Sequence, residues 1–349
     1  MSDIPTFEID SKAQAARAGI DHWRQAVSSL FDIEPAGDHF EAAISSFAIG
    51  NVLIGQSAAS AQIFRRNEAV IQRSQIDHVM VQLYLAGGFS GQAEGMPIVV
   101  DPGDICCFDL AFGFETRADD FQNITMIIPK SALQPLTTGD FFHGLVLKSG
   151  ETVNLLLATH MRELLCLCPE IKSAEIGLVE QMTTELVRLC LRMPRRQFLA
   201  PDADARSVVG RAKAYIAERL GNPDLDGQMI CQALGVSRAT LYRHFEPLGG
   251  VASVIRNWRL SNAFGELERN GLEPLQVIAR RNGFRNTGVF ARAFKTRYGV
   301  SPSTFRTMRA RIGERRESRD RTNGAIPPAS DLTRWMQQLG RFAGFGLPA

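Results

Sequence analysis

The sequence predicts a multi-domain α+β chain: an N-terminal β-barrel of jelly-roll type with helices after it, then an all-α C-terminal domain of two helix-turn-helix units. Three observations lead there. The apolar pattern changes from short strand-like runs to helical period near Thr152, a helical motif recurs at an interval close to fifty residues, and charge is unevenly divided along the chain.

A length of 349 residues suits two domains, each able to bury a core of its own. Apolar residues make up 45% and charged residues 22%, which disfavours disordered and membrane classes. No apolar run approaches the roughly 20 residues a bilayer span needs. The N-terminal string MSDIPTFEID carries acidic residues where a secretory signal needs basic ones, so a cytoplasmic location is expected, with no membrane partner. Of the six cysteines, Cys106 and Cys107 are adjacent, Cys166 and Cys168 are one residue apart, and Cys190 and Cys231 are isolated. None has metal-site spacing, and all read as small buried hydrophobes.

Residues 40–130 supply the strands. Runs such as SSFAIGNVLIG, HVMVQLYLAGG and MPIVVDPGDICCFDL are punctuated by Gly, Pro and Asp, with Pro102-Gly103-Asp104 as a turn feeding a β-rich segment. From Thr152 apolar residues fall three and four apart, and Ile176, Val179, Met182, Leu186 and Leu189 form one stripe. That stripe is either intramolecular core or a seam for a second subunit. Residues 194–206 carry prolines and charge without periodicity and read as a linker, which makes 1–193 the first domain. Residues 313–349 read as a disordered tail ending in a short amphipathic helix with Leu332, Trp335, Met336, Leu339 and Phe342 on one side.

Charge singles out the part in between. Residues 1–206 carry 16 Lys/Arg against 26 Asp/Glu, a net of −10, whereas residues 207–312 carry 17 against 7, a net of +10. A basic domain on an otherwise acidic chain suits a polyanionic partner, because each phosphate neutralised by Lys or Arg releases counterions.

The repeat lies in this basic segment. In the first copy, QMICQALGVSRATLYRHF, a helix bearing Ile230 and Leu234 ends at Gly235, Val236 plugs the turn, and Ser237 is placed to cap the next helix. In the second, LQVIARRNGFRNTGVFARAF, Ile278, Gly283 and Phe284 take the corresponding places, and Phe290, Arg292 and Phe294 match Leu241, Arg243 and Phe245. Residues four apart share a helix face, and those two apart lie about 200° around the axis. Leu241 and Phe245 therefore face inward, while Arg243 points outward beside Ala239 and Tyr242. Arg292 points outward in the same way, beside Thr287, Gly288 and Lys295. An α-helix fits the major groove, and an outward arginine can pair bidentately with guanine O6 and N7. Between the copies, Val254, Ile255, Trp258, Leu260, Ala263, Phe264 and Leu267 describe a long, mostly buried helix that would hold the two units at a fixed separation.

With these residues in view, 207–312 resembles the DNA-binding domain of the AraC/XylS family of bacterial transcription regulators. The second unit carries the likeness through Gly283-Phe284, Phe290, Phe294, Gly299, Ser301-Pro302 and Arg306. The first carries it through Ala233-Leu234-Gly235-Val236-Ser237, Leu241, Phe245, Gly250 and Arg259-Leu260. The resemblance implies base contacts from Arg238, Ala239, Tyr242 and Arg243 in one reading helix, and from Asn286, Thr287, Gly288 and Arg292 in the other. Ser237, Arg281, Lys295 and Arg297 are assigned to phosphates, contacts that orient a protein without reading sequence. Residues 1–193 resemble, more weakly, the cupin-like effector-binding and dimerisation domain of the XylS-like subgroup. That implies an effector-responsive activator, with promoter DNA, RNA polymerase, a small-molecule effector and a second subunit as partners. A repressor or a ligand-independent regulator would share the fold.

The rival to a regulator is a metal-dependent cupin enzyme. Such a site needs two or three histidines converging with a carboxylate, whereas His39, His78 and His143 stand apart and no HxH pair occurs. There is no GxSxG, phosphate loop or HExxH either, so neither metal, cofactor nor catalysis is expected. Phe47, Ile49, Val79, Val81, Leu83, Phe108 and Phe112 are either ordinary barrel core or the lining of a ligand site, and no effector contact is assigned among them.

Overall fold

A computed structural model describes residues 4–10, 16–37, 39–74, 76–93, 95–133, 142–192, 208–246, 249–269 and 273–307. The linker 194–206 and the tail 313–349, with its amphipathic stretch, lie outside these residues. The chain divides into two compact units that part after Leu191.

The first unit opens with strand β1 (Thr6–Asp10), helix α1 (Ala16–Val27) and strands β2 (Asp32–Pro35), β3 (Ala42–Ile49), β4 (Val52–Ala59) and β5 (Gln62–Arg66). Helix α2 (Glu68–Ser74) leads to β6 (His78–Ala86), β7 (Phe89–Ala93), β8 (Met96–Val100), β9 (Ile105–Asp109), β10 (Phe114–Ala118), β11 (Phe121–Pro129) and β12 (Leu145–Leu147). Helices α3 (Thr152–Leu167) and α4 (Ile176–Leu191) close the unit. The strands make two antiparallel sheets, one in the order β1-β3-β4-β11-β6-β9-β12 and one in the order β2-β5-β10-β7-β8. Two such sheets face to face, with helices beyond, form the cupin-like sandwich that the strand runs foretell. The segment before residue 40, in which no elements were expected, adds a strand to each sheet and α1 beside them.

The core between the sheets is aromatic. Phe108 stacks on Phe114 at 4.3 Å, Phe31 meets Phe64 edge-on at 4.7 Å, and Trp23 of α1 packs into the same cluster. Arg66 is buried among them, donating to the carbonyls of Ser29, Leu30, Ile76 and Leu110 and to the Ser74 hydroxyl, so each of its five N–H groups finds an oxygen acceptor.

The outer face of the seven-stranded sheet is covered as well, because α3 packs on β4 and β11, and α4 on β3 and β4. Both faces of β6 are consequently buried. Met80 and Gln82 face the sandwich interior, which by the period of two turns Val79, Val81 and Leu83 to the opposite side. Phe47 and Ile49 likewise alternate with the inward Ser46. The group offered as core or ligand lining thus mixes two faces: five of its members back the sheet, while Phe108 belongs to the inner core. Five of the six cysteines are buried, and burial pushes the Cys190 thiol up to about 11, as expected of packing residues.

The second unit is helical throughout: α5 (Val208–Glu218), α6 (Gly227–Leu234), α7 (Arg238–Phe245), α8 (Val251–Arg269), α9 (Leu275–Arg281) and α10 (Thr287–Tyr298). Helix α8 buries Val254, Ile255, Trp258, Leu260, Ala263, Phe264 and Leu267. Its Phe264 anchors an aromatic cluster with Phe294, Tyr298 and Phe305.

Candidate nucleic-acid interface

Each reading helix is set by a turn and a cap. Helix α6 begins under Asp226, whose carboxylate accepts the Met229 N–H at 2.8 Å, and ends at Gly235 in the left-handed region, φ 67°. Ser237 then caps α7, its hydroxyl accepting the Thr240 N–H at 3.1 Å. In the second copy Asn286 caps α10 by accepting the Val289 N–H at 2.8 Å, and Gly283 makes the turn at φ 72°. One lone pair of the Asn286 carbonyl oxygen is therefore held by its own helix, which leaves its NH₂ and the second lone pair for a base.

With the caps fixed, the helix period decides which side chains face solvent. Leu241, Phe245, Phe290 and Phe294 are 0% exposed, while Arg238, Ala239, Tyr242 and Arg243 on α7 and Gly288, Arg292 and Lys295 on α10 are exposed. Thr287 is half-buried. The four α7 residues share one face, and Gly288, Arg292 and Lys295, four and three apart, share another. Arg238 is not loose on that face, because its guanidinium donates to the Gln228 carbonyl oxygen at 3.0 Å.

Two of the residues assigned to phosphates sit elsewhere. Arg297 is only 4% exposed. Seven residues beyond Phe290 it returns to within about 20° of the same helix face, which is the inner one. Arg281 is partly exposed but committed to the unit's own carboxylates, meeting Glu266 at 2.8 Å and Glu273 at 2.5 Å. Arg297→Ala is accordingly expected to lower stability by about 1–3 kcal/mol in urea unfolding without altering the salt dependence of DNA binding. Lys295→Ala should do the converse, and a reduced salt slope for Arg297→Ala would restore Arg297 to the interface.

Two exposed residues were missed. Arg285 precedes the α10 cap, its side chain 72% exposed and paired with Asp224 at 2.5 Å. Val289, 43% exposed, puts an apolar patch between Gly288 and Arg292. An outward valine on a reading helix carries no charge and so gives no sequence signal of a polyanion-facing surface.

The junction between the copies is tightly built. Arg259 of α8 donates to the carbonyls of Leu220, at 3.1 Å, and Asn222, at 2.6 Å, both in the loop before α6. Gly283 of the second turn lies against the same place, where an added Cβ would stand 2.5 Å from the Leu220 oxygen. The turn of the second copy is thereby packed directly on the lead-in to the first.

In the strand-rich unit, no group of three His, Cys, Asp or Glu among the described residues is arranged to hold a metal. His143 is engaged at both ring nitrogens, Nδ1 accepting the Asp109 N–H at 3.1 Å and Nε2 lying 3.1 Å from the Gly113 carbonyl. No described helix is long and apolar enough to cross a membrane.

Known proteins match both units. Residues 22–192 match the AraC-binding-like domain family, and residues 230–308 match a helix-turn-helix domain family. The transcriptional activator NphR of Rhodococcus sp. is 25% identical over 293 residues, spanning 79% of this chain and 83% of that protein. The crystal structure of the AraC-like transcriptional activator CuxR is 27% identical, covering 75% of this chain and 96% of its own, with a TM-score of 0.50. An AraC-binding-like domain and a helix-turn-helix domain are thus matched in the same order along one chain, and the chain is a DNA-binding transcription regulator of AraC-like domain arrangement.

Proposed function

We infer that the protein is an effector-responsive transcription activator whose α7 and α10 enter successive major grooves of an asymmetric promoter site. The observation that carries this is the equivalence of the two helices, each presenting an exposed arginine opposite a fully buried apolar pair. Arg238, Ala239, Tyr242 and Arg243, and Asn286, Thr287, Gly288 and Arg292, are the proposed base-reading set, with Lys295 and Ser237 at the backbone. Helix α8, 19 residues long, spans about 28 Å. That is comparable with the roughly 34 Å between successive major grooves on one side of B-DNA. Activation is supported by the names of the two relatives, both transcriptional activators, and would make RNA polymerase a partner. Residues 207–312 would be the reader and 1–193 the sensor and pairing domain. The test is fluorescence anisotropy with promoter fragments at graded salt. A specific fragment should bind with log Kd rising steeply with log salt, and absence of binding to every fragment at low salt would overturn the reading.

A second subunit fits on α3 and α4. Leu155, Leu156, Leu178, Met182 and Leu189 are all more than half exposed, whereas Leu157, Met161, Thr183 and Val187 face inward. The stripe left open between core and seam therefore divides: Met182 and Leu189 lie outside, and Ile176, Val179 and Leu186 at the margin. An apolar patch of this extent on a soluble regulator suits a homodimer. Met182→Glu combined with Leu189→Glu should convert dimer to monomer in sedimentation, with stability changed by less than about 1 kcal/mol because both sites are exposed. An unchanged sedimenting mass would place the pairing surface elsewhere.

A further inference from the structure

The interior of the strand-rich unit holds a cavity of about 40 Å³. Its polar wall consists of two rows running across the inner face of the seven-stranded sheet. In one, Ser46 stands opposite Gly55, Gly55 opposite Thr125, and Thr125 opposite Gln82. In the next, Ser57 stands opposite Asn123, which faces Tyr84. Gln82 donates to the Thr125 hydroxyl at 3.2 Å, and that hydroxyl donates to the Asn123 carbonyl oxygen at 3.2 Å. Gly55 interrupts the first row because a Cβ there would stand 2.4 Å from the Ser46 hydroxyl. The opposing wall is aromatic, formed by Trp23, Phe31 and Phe64, and Phe121 stands beside Asn123 on the sheet's own inner face.

None of the lining residues is ionisable in the physiological range. Buried charges elsewhere in the unit have counterparts of their own, with Asp77 lying 3.9 Å from Lys130. Arg66 has its five acceptors, Lys130 meets Asp109 at 2.6 Å, and Asp104 meets Lys148 at 2.6 Å. A charged guest would therefore lose its hydration with no counter-charge to replace it. Gln82, Thr125 and Asn123 hydrogen-bond to one another across the wall, and a guest seated there would have to offer donors and acceptors in exchange, which argues for a polar but neutral guest.

We propose that the effector is an uncharged molecule with a flat apolar body packed against Trp23, Phe31, Phe64 and Phe121 and a hydrogen-bonding end on the Ser46–Thr125–Gln82 row. This rests on the reading of residues 1–193 as the sensor. The present volume suits a water or two, whereas a single aromatic ring needs about 150 Å³. The sheet walls are held by strand hydrogen bonds. The wall that contains Trp23 and Val27 belongs to α1, which is secured by packing and by the bond from Trp23 Nε1 to the Gln62 carbonyl oxygen at 3.1 Å. Enlargement would come from there.

The test uses the full chain and three ring-bearing probes that differ in charge: benzyl alcohol, benzoate and benzylamine at pH 7, followed by calorimetric titration and melting temperature. Benzyl alcohol should bind and raise the melting temperature, with the two ions at least about tenfold weaker, and Thr125→Val should weaken the alcohol about tenfold, the effect of one buried hydrogen bond. Thr125→Ser should restore most of the loss, and Ser46→Ala on the same row gives a second reading if the valine variant does not fold. Equal binding of either ion, no binding of the alcohol, or indifference to both row variants would overturn the proposal. Operator affinity measured in the same samples separates the two claims: alcohol binding that leaves DNA affinity unchanged upholds the neutral pocket and defeats the sensor reading.

Discussion

Gly283→Ala is expected to destabilise the second helix-turn-helix unit by about 3 kcal/mol or more and to remove specific DNA binding, while Gly235→Ala in the equivalent turn costs only about 1 kcal/mol. Both glycines sit in the left-handed region, at φ 72° and φ 67°, so both substitutions carry the same backbone penalty of about 1 kcal/mol. Their surroundings differ. A Cβ on Gly235 meets nothing within 4 Å, whereas one on Gly283 would lie 2.5 Å from the Leu220 carbonyl oxygen and 2.7 Å from Arg259 Nε. The oxygen is backbone and already accepts from Arg259, so neither neighbour can yield without breaking the junction between the two copies. Urea unfolding of each variant, with anisotropy on a promoter fragment, gives the comparison. Equal losses at the two positions would mean that the close approach at Leu220 does not matter, and that the two readers are not held in register there.

The contrast between these turns shows what the sequence could and could not disclose. Both glycines are legible as turn residues, since each ends an apolar-periodic helix and precedes a capping side chain. That one is crowded and the other free depends on a loop more than sixty residues away from Gly283, which no local pattern records. The same division holds for the reading helices. Leu241, Phe245, Phe290 and Phe294 fall four apart, and their burial follows from helical geometry alone. Arg297 obeys the identical rule, seven residues from Phe290, so the same geometry puts it on the inner face and not at a phosphate. For the strand-rich unit the limit was physical. A sheet covered on one face announces its inner side by alternation, but β6 is buried on both faces, and a run such as HVMVQLYL then holds no phase information. The polar residues Gln82, Asn123 and Thr125 were the usable signal. A hydrophilic side chain recurring on inward positions of paired strands marks an interior that is not merely packed.

Arg243→Ala and Arg292→Ala should each weaken binding to the preferred site by about 1–3 kcal/mol, or roughly 5–150-fold, and each should relax preference at a single, different base pair. The reason for two separate positions lies in the fold: the arginines project from equivalent places on α7 and α10, and α8 and the Leu220 junction keep the helices from exchanging sites. Lys295→Ala is the control, since a lysine at the edge of the same face should lower affinity for all sequences together and reduce the salt slope by about one. Selection of randomised duplexes by each variant, compared with wild type, reads base preference position by position. If both arginine variants keep the wild-type preference while losing affinity, the arginines hold backbone phosphates and the bases are read by their neighbours. Tyr242 and Val289, both exposed beside the arginines, would then be the residues to vary, the tyrosine because its hydroxyl can bond a base edge and the valine because it can meet a thymine methyl. If the two variants relax the same base pair, the helices cannot be occupying separate grooves, and the rigid spacing supplied by α8 would have to serve some purpose other than reading an asymmetric site.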